Sequence, residues 1–220
     1  MNSNANQKII MISGKMGSGK TTLMNKLIAY AHDAGVSCHN VIFADTIYKI
    51  HDYALELLKA RGIERDIAKD GKLLQLLGTE WGRATLGEDV WVRCLMGQID
   101  GLKKAIDVGM KDRKTIFIIS DCRFKNEFDG VPDCFKVRLE ASKEVRKARC
   151  SQWRDNDVHP SEIDLDGYAK EGKFDCYVDT ELEIQDSLEH LIWCFDEWAF
   201  GEETGPEFNG FSELCGKYYV

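Results

Sequence analysis

The densest chemistry in the chain lies near its N-terminus, in Gly14-Lys-Met-Gly-Ser-Gly-Lys-Thr21. Glycine, four residues, then Gly-Lys-Ser/Thr is the spacing of a loop that cradles nucleotide phosphates. The glycines let the backbone bend so that successive N–H groups converge on one anion. Lys20 adds a cation for the β- and γ-phosphates, and Thr21 a hydroxyl that can ligate Mg²⁺. Such a loop has to follow a strand and open a helix. Lys8-Ile-Ile-Met-Ile-Ser13 is an apolar run of strand length, and Leu23, Leu27, Ile28 and Tyr30 recur at helical period over residues 22–34. The start of that helix brings partial positive charge to the same place. The residues expected to hold ATP are Gly14, Lys15, Gly17, Ser18, Gly19, Lys20, Thr21 and Thr22.

Other candidates stand where apolar runs end. Phe117-Ile-Ile-Ser-Asp121 is a hydrophobic strand closing on a carboxylate, which in phosphate-loop proteins helps hold Mg²⁺. Asp121 can equally cap the next turn. Arg123 and Glu127 follow within a few residues, as a phosphate-contacting cation beside an acid that orients it, or as a solvated turn. Asp45 ends a second apolar run and is a candidate neighbour of the phosphate acceptor, or a helix N-cap. Lys72, Gln75 and Thr79 are three and four apart, so they share a helix face suited to a phosphate and a base edge, or merely to solvent. Lys143, Arg146, Lys147, Arg149 and Arg154 make a basic stretch in an acidic chain. Arg146 and Arg149 are the arginines expected to close over a transferring phosphate, the alternative being a surface helix of ion pairs.

These residues need a scaffold, and the remaining sequence supplies one. The chain has 220 residues with 44% hydrophobic content, enough for one α/β domain with a small mobile subdomain. Strands are expected at 8–13, 41–44, 115–120, 135–139 and 176–179. Helices are expected at 22–34, 47–60, 72–83, 89–108, 142–153 and 185–200. Residues 61–70 read as a surface turn with a short helix start, 155–172 as polar loop, and 201–220 receive no assignment. Alternating strands and helices imply a parallel sheet with helices on both faces, ligands binding at the carboxyl ends of the strands. The expected architecture is a three-layer phosphate-loop sandwich over residues 1–220, with acceptor-binding helices about 46–110 and a small lid about 142–172.

Composition narrows the partners. A net charge of −8 argues against a broad nucleic-acid footprint. The polar N-terminal residues and the short run at 9–12 give neither a signal peptide nor a membrane span. The 8 cysteines are scattered without a Cys-x-x-Cys pair, so no zinc spacing is legible, and free thiols in a reducing cytosol are expected.

Four further segments carry a resemblance. Leu74-Gln-Leu-Leu-Gly-Thr-Glu-Trp-Gly-Arg83, Asp89-Val-Trp91, Ser120-Asp-Cys-Arg-Phe-Lys-Asn-Glu127 and His159-Pro-Ser-Glu162, in this order behind the phosphate loop, resemble the bacteriophage-type deoxynucleoside monophosphate kinases. The resemblance covers roughly residues 7–195. It implies transfer of the γ-phosphoryl of ATP to a deoxynucleoside monophosphate with Mg²⁺, in a cytoplasm that is the host's if the chain is viral. It implies acceptor contacts at Lys72, Gln75, Gly78, Thr79, Trp91, Asp121, Arg123 and Glu127. Lys20, Arg146, Arg149 and Asp45 are the catalytic candidates, and Thr21 with Asp121 the metal ligands. Trp91 is a candidate wall against a ribose 2′-hydroxyl, although its helix register with Leu95 also suits ordinary core. A homodimer and the base preference are left open. The alternatives are another small-molecule kinase, similar to those acting on dephospho-coenzyme A, or a nucleotide-binding protein without transfer.

Overall fold

The computed structural model describes residues 6–63, 69–109, 113–151, 153 and 159–200. Five strands form one sheet: β1 (Gln7–Gly14), β2 (Ser37–Val41), β3 (Thr115–Cys122), β4 (Cys134–Glu140) and β5 (Cys176–Asp179). Between them run α1 (Lys20–Asp33), α2 (Asp45–Ala60), α3 (Gly71–Gln75), α4 (Val90–Gly109), α5 (Lys125–Asp129), α6 (Lys143–Arg149), α7 (Pro160–Ile163), α8 (Asp166–Lys170) and the closing α9 (Ile184–Phe200). A π-helical segment, Leu76–Leu86, continues α3.

The strand order is β2-β3-β1-β4-β5 and every pair is parallel. β1 and β3 read as unbroken apolar runs because both of their faces are covered. Alternate side chains feed two cores. Ile9, Met11, Phe117 and Ile119 pack with Trp91, Leu95 and Ile99 of α4. Ile10, Ile12, Ile116 and Ile118 pack with Leu23 and Leu27 of α1 and Leu188, Leu191 and Phe195 of α9. Each such side chain contributes about 1.5–3 kcal/mol on burial. The chain leaves β1 toward β2 on one side and crosses from β3 to β4 on the other. That reversal opens a crevice at the carboxyl end of β1, where Gly14 lies.

The structure departs from the sequence reading in four places. The second strand is Ser37–Val41 rather than 41–44. It is an edge strand of half-exposed polar residues, so its pattern is faint, while Phe43 is buried in the turn that follows. The helix expected over 72–83 is a short α-helix followed by the π-helical segment, with Leu76 exposed. The apolar side of α2 faces outward: Tyr53 is 63% exposed and Leu57 50%, and the buried residue of this helix is His51. The expected loop 155–172 contains α7 and α8, too short to show a helical period. Arg154, the end of the expected 142–153 helix and residues 201–220 fall wholly or partly outside the described residues.

Candidate nucleotide-binding site

The loop between β1 and α1 is shaped by its glycines. Gly17 has φ of 80°, and a Cβ there would stand 2.5 Å from the Arg146 carbonyl oxygen. Both facts exclude a side chain, because a left-handed backbone and a backbone contact meet at one residue. Gly19, also at positive φ, precedes the first turn of α1. The Lys20 ammonium donates to the carbonyl oxygens of Gly14 and Lys15, so it lies inside the loop. Burial, and next the Arg123 guanidinium, lower its pKa to about 8, while Glu162 pulls the other way. The Ser18 hydroxyl is buried without a hydrogen-bond partner among the described residues. Thr21 and Thr22 are exposed on the first turn of α1, Thr21 offering a hard oxygen donor.

A second layer closes over the loop, and sequence reading had identified only part of it. Glu162, in α7, accepts from the Met16 N–H at 2.7 Å through one oxygen and from Arg123 at 2.5 Å through the other. A carboxylate of the chain itself therefore occupies one loop amide, the Met16 N–H. Arg138, buried on β4, donates to Asp166 at 2.8 Å, and Asp166 also pairs with Lys15 at 2.7 Å. The Arg138 Nε is buried without a partner among the described residues. Glu162 belonged to a legible motif, but nothing in the sequence tied it to Met16, 146 positions earlier. Arg138 gave only one signal, a charge inside an apolar strand.

The end of β3 is organised by buried acids. Asp121 accepts from the Phe43 and Ala44 N–H groups at 3.0 and 3.1 Å, one oxygen each, and joins β3 to the entry of α2. Burial raises its pKa, and those two bonds oppose the rise. Glu127 accepts from the Arg123 and Phe124 N–H groups and pairs with Arg83 at 2.6 Å. Burial raises its pKa as well. Arg83, unassigned from sequence, also stacks on Phe124, 4.4 Å from the ring centre. Arg123 and Glu127 thus belong to one charged network, Arg123 reaching the loop through Glu162. Asp45 opens α2 and pairs with Lys49 at 2.7 Å.

The two arginines from the basic stretch sit at the loop. Arg146 is buried, donates to the Met16 carbonyl at 3.2 Å and stacks on Trp153. Arg149 donates twice to Thr180, whose hydroxyl in turn donates to the Ser18 carbonyl. Here α6 is packed against the loop rather than held away from it. Lys72, Gln75 and Thr79 are exposed. Gly78 accepts from the Trp91 indole at 2.8 Å. Trp91 is 3% exposed, and a Cβ on Gly82 would stand 2.2 Å from its ring. Its ring supports the π-helical segment from the core side, with little surface left for a ligand.

A phosphate-cradling loop at the carboxyl end of a central parallel strand, closed by a lysine that opens a helix, defines a P-loop nucleotide-binding domain. The family model of the KAP family P-loop domain matches residues 1–202, and the chain belongs to that family. No match was found among curated protein sequences. Among solved structures the chain is similar to TT1252 from Thermus thermophilus, with 17% identity over 90% of this chain and 99% of that one and a TM-score of 0.51, a likeness of fold. Shikimate kinase from Aquifex aeolicus matches at 14% identity over 88% and 99% of the two chains with a TM-score of 0.46. The APS kinase of Mycobacterium tuberculosis matches at 12% over 86% and 97% with a TM-score of 0.42. Among the described residues no helix is long and apolar enough to cross a membrane.

Proposed function

We propose that the chain is an ATP-dependent phosphotransferase whose acceptor is a deoxynucleoside monophosphate. One observation carries the transferase reading: three arginines converge on the loop, Arg146 at the Met16 carbonyl, Arg123 through Glu162 at the Met16 N–H, and Arg138 through Asp166 at Lys15. A triphosphate is already served by the loop amides, Lys20 and the start of α1. Three further guanidinium groups suit a second phosphate brought to the same point. The deoxynucleotide as acceptor comes from the resemblance of residues 74–83, 89–91, 120–127 and 159–162.

In this reading Gly14, Lys15, Gly17, Ser18, Gly19, Lys20, Thr21 and Thr22 hold ATP. Arg146 and Arg149, fixed to the loop and to Thr180, stabilise charge on the transferred group. Thr21 and Asp121 provide the oxygen donors that suit Mg²⁺, which when bound neutralises phosphate charge. Arg123 receives the acceptor phosphate, held by Glu162 until then. Glu127 and Arg83 position it. Lys72, Gln75, Gly78 and Thr79 line the acceptor side, Trp91 supports them from beneath, and Asp45 stands at the entry of α2. The acceptor oxygen is ionised at neutral pH, so positioning and charge neutralisation do the catalysis and no strong base is required. The thiols suit a reducing cytoplasm.

The match to the KAP family P-loop domain favours a second reading, nucleotide hydrolysis without an acceptor. One assay separates the two. ADP release is measured with ATP alone and with each deoxynucleotide and ribonucleotide monophosphate. Transferase activity gives ADP and a nucleoside diphosphate only when an acceptor is present, with the deoxy forms preferred. Acceptor-independent ADP release supports hydrolysis and overturns the transferase reading.

A further inference from the structure

At the far edge of the sheet, β5 and α9 bring three metal-ligating side chains together. Cys176 is buried on β5, and His190 and Cys194 lie half-buried one turn apart on α9. Residues four apart share a helix face, so both α9 side chains meet the strand at one place. One ligand atom from each of the three lies within 4.8 Å of the others. The His190 Nε2 is 3.8 Å from the Cys194 sulfur and 3.2 Å from the Tyr177 carbonyl oxygen.

We propose that Cys176, His190 and Cys194 form a Zn²⁺ site that ties β5 to α9. Zinc binds thiolate at about 2.3 Å and imidazole at about 2.0 Å in a tetrahedron, which sets its ligand atoms roughly 3.5–3.8 Å apart. The three atoms reach that spacing by closing about 1 Å at most. Two thiolates and one imidazole are a soft set that selects zinc over magnesium or calcium. The fourth position is taken by water. A cleft of about 900 Å³, lined among others by Cys176, Ser187, His190 and Cys194, brings solvent to the cluster.

Binding balances in charge and protons. Two thiols lose their protons, the dication meets two thiolates, and the site becomes neutral. The imidazole ligates through Nε2, so that nitrogen gives up its hydrogen bond to the Tyr177 carbonyl and the ring proton sits on Nδ1. An ordinary thiol is protonated at neutral pH, so zinc competes with protons and affinity rises with pH. A bound metal would link an edge strand to the closing helix, in a cleft that Lys15, Arg138 and Arg146 also line. No Cys-x-x-Cys spacing announces this site, because its ligands come from a strand and a helix that meet only in the fold.

The test uses the full chain, reduced and stripped with chelator, titrated with Zn²⁺ against a chromophoric competitor and separately with Co²⁺. The expected result is one equivalent of Zn²⁺, a tetrahedral Co²⁺ spectrum with thiolate charge-transfer bands, and release of about two protons per metal. Removing a second-shell partner already weakens metal affinity about 10–100-fold, so Cys194→Ser and His190→Gln should each weaken it at least about 100-fold. Both residues are half-buried, and far-ultraviolet circular dichroism should be unchanged. Absence of stoichiometric uptake overturns the site. So does uptake that persists unchanged in Cys194→Ser, which places the metal on other thiols. A Cys176–Cys194 disulfide that forms in the presence of Zn²⁺ also overturns it, since the pair is then redox-active rather than ligating. None of these outcomes depends on phosphoryl transfer.

Discussion

The loop side of the molecule and the α2 side are built by opposite means. Around Lys20 several loop groups take partners from distant segments, the Met16 N–H from Glu162, Lys15 from Asp166 and the Ser18 carbonyl from Thr180, while the Ser18 hydroxyl and Arg138 Nε are buried without one among the described residues. Across α2 and the π-helical segment large apolar side chains face outward, among them Tyr53, Leu57, Leu76 and Trp81. The first region is preorganised, because a phosphate cradle must hold its geometry before the anion arrives. The second has surface to spare and few internal contacts. This is the character expected where an acceptor is enclosed only after it binds.

The joint between the two regions is the strongest place to break the comparison. Trp91 belongs to the core of α4 yet holds Gly78 by a hydrogen bond. Trp91→Ala should lower stability by about 3–5 kcal/mol, measured by urea unfolding. It should also alter the ratio of deoxy to ribo acceptors in kcat/KM. Unchanged stability would mean that the ring does not join the halves, and an unchanged ratio would remove it from acceptor selection.

Lys20→Ala tests the preorganised side alone. Turnover should fall by roughly 10²-fold or more, with circular dichroism intact, since the loop carries little of the core. Near-normal turnover would refute the role given to the loop. Arg123→Ala tests the crossing between sides. A lost charged hydrogen bond is worth about 1.5–3 kcal/mol, so the acceptor KM should rise roughly 10–100-fold while ATP affinity stays close to that of the wild type. Equal loss for both substrates would move Arg123 to the ATP side.

Protonation sharpens the picture of the loop. The pKa of Lys20 is lowered to about 8, so above pH 8 the ligand-free side chain is increasingly neutral. A bound triphosphate favours the charged form and raises that pKa. ATP binding above pH 8 should therefore take up protons and weaken as pH rises, read by calorimetry in buffers of different ionisation enthalpy. Binding without proton uptake would place Lys20 away from the phosphates. The smallest effect belongs to the outward face: Leu57→Ser should change stability by no more than about 0.5 kcal/mol. A large loss would show that this face is covered in solution.

Much of the donor side was legible because its determinants are local. The phosphate loop needs glycines at fixed offsets, a strand before and a helix after, all within 34 residues of the N-terminus. The buried runs of β1 and β3 likewise declare a sheet covered on both faces. The same local logic says less about α2, whose stripe Ile50, Tyr53, Leu57 and Leu58 has helical period yet is largely exposed. Periodicity defines a face but not what packs on it, and here the sheet is already covered by α4, α1 and α9.

Tertiary structure alone decided which charges meet. Arg138 and Asp166 pair across 28 positions and Met16 with Glu162 across 146, contacts that no spacing rule reaches. It also decided that Asp121 closes the β2–α2 turn and that α6 rests on Gly17. Period, turn residues and loop motifs act over one or two turns of chain, so the sequence by itself determined the elements and the phosphate cradle. The partners of buried charges are set by the parallel crossovers, which bring the carboxyl ends of separate strands to one crevice.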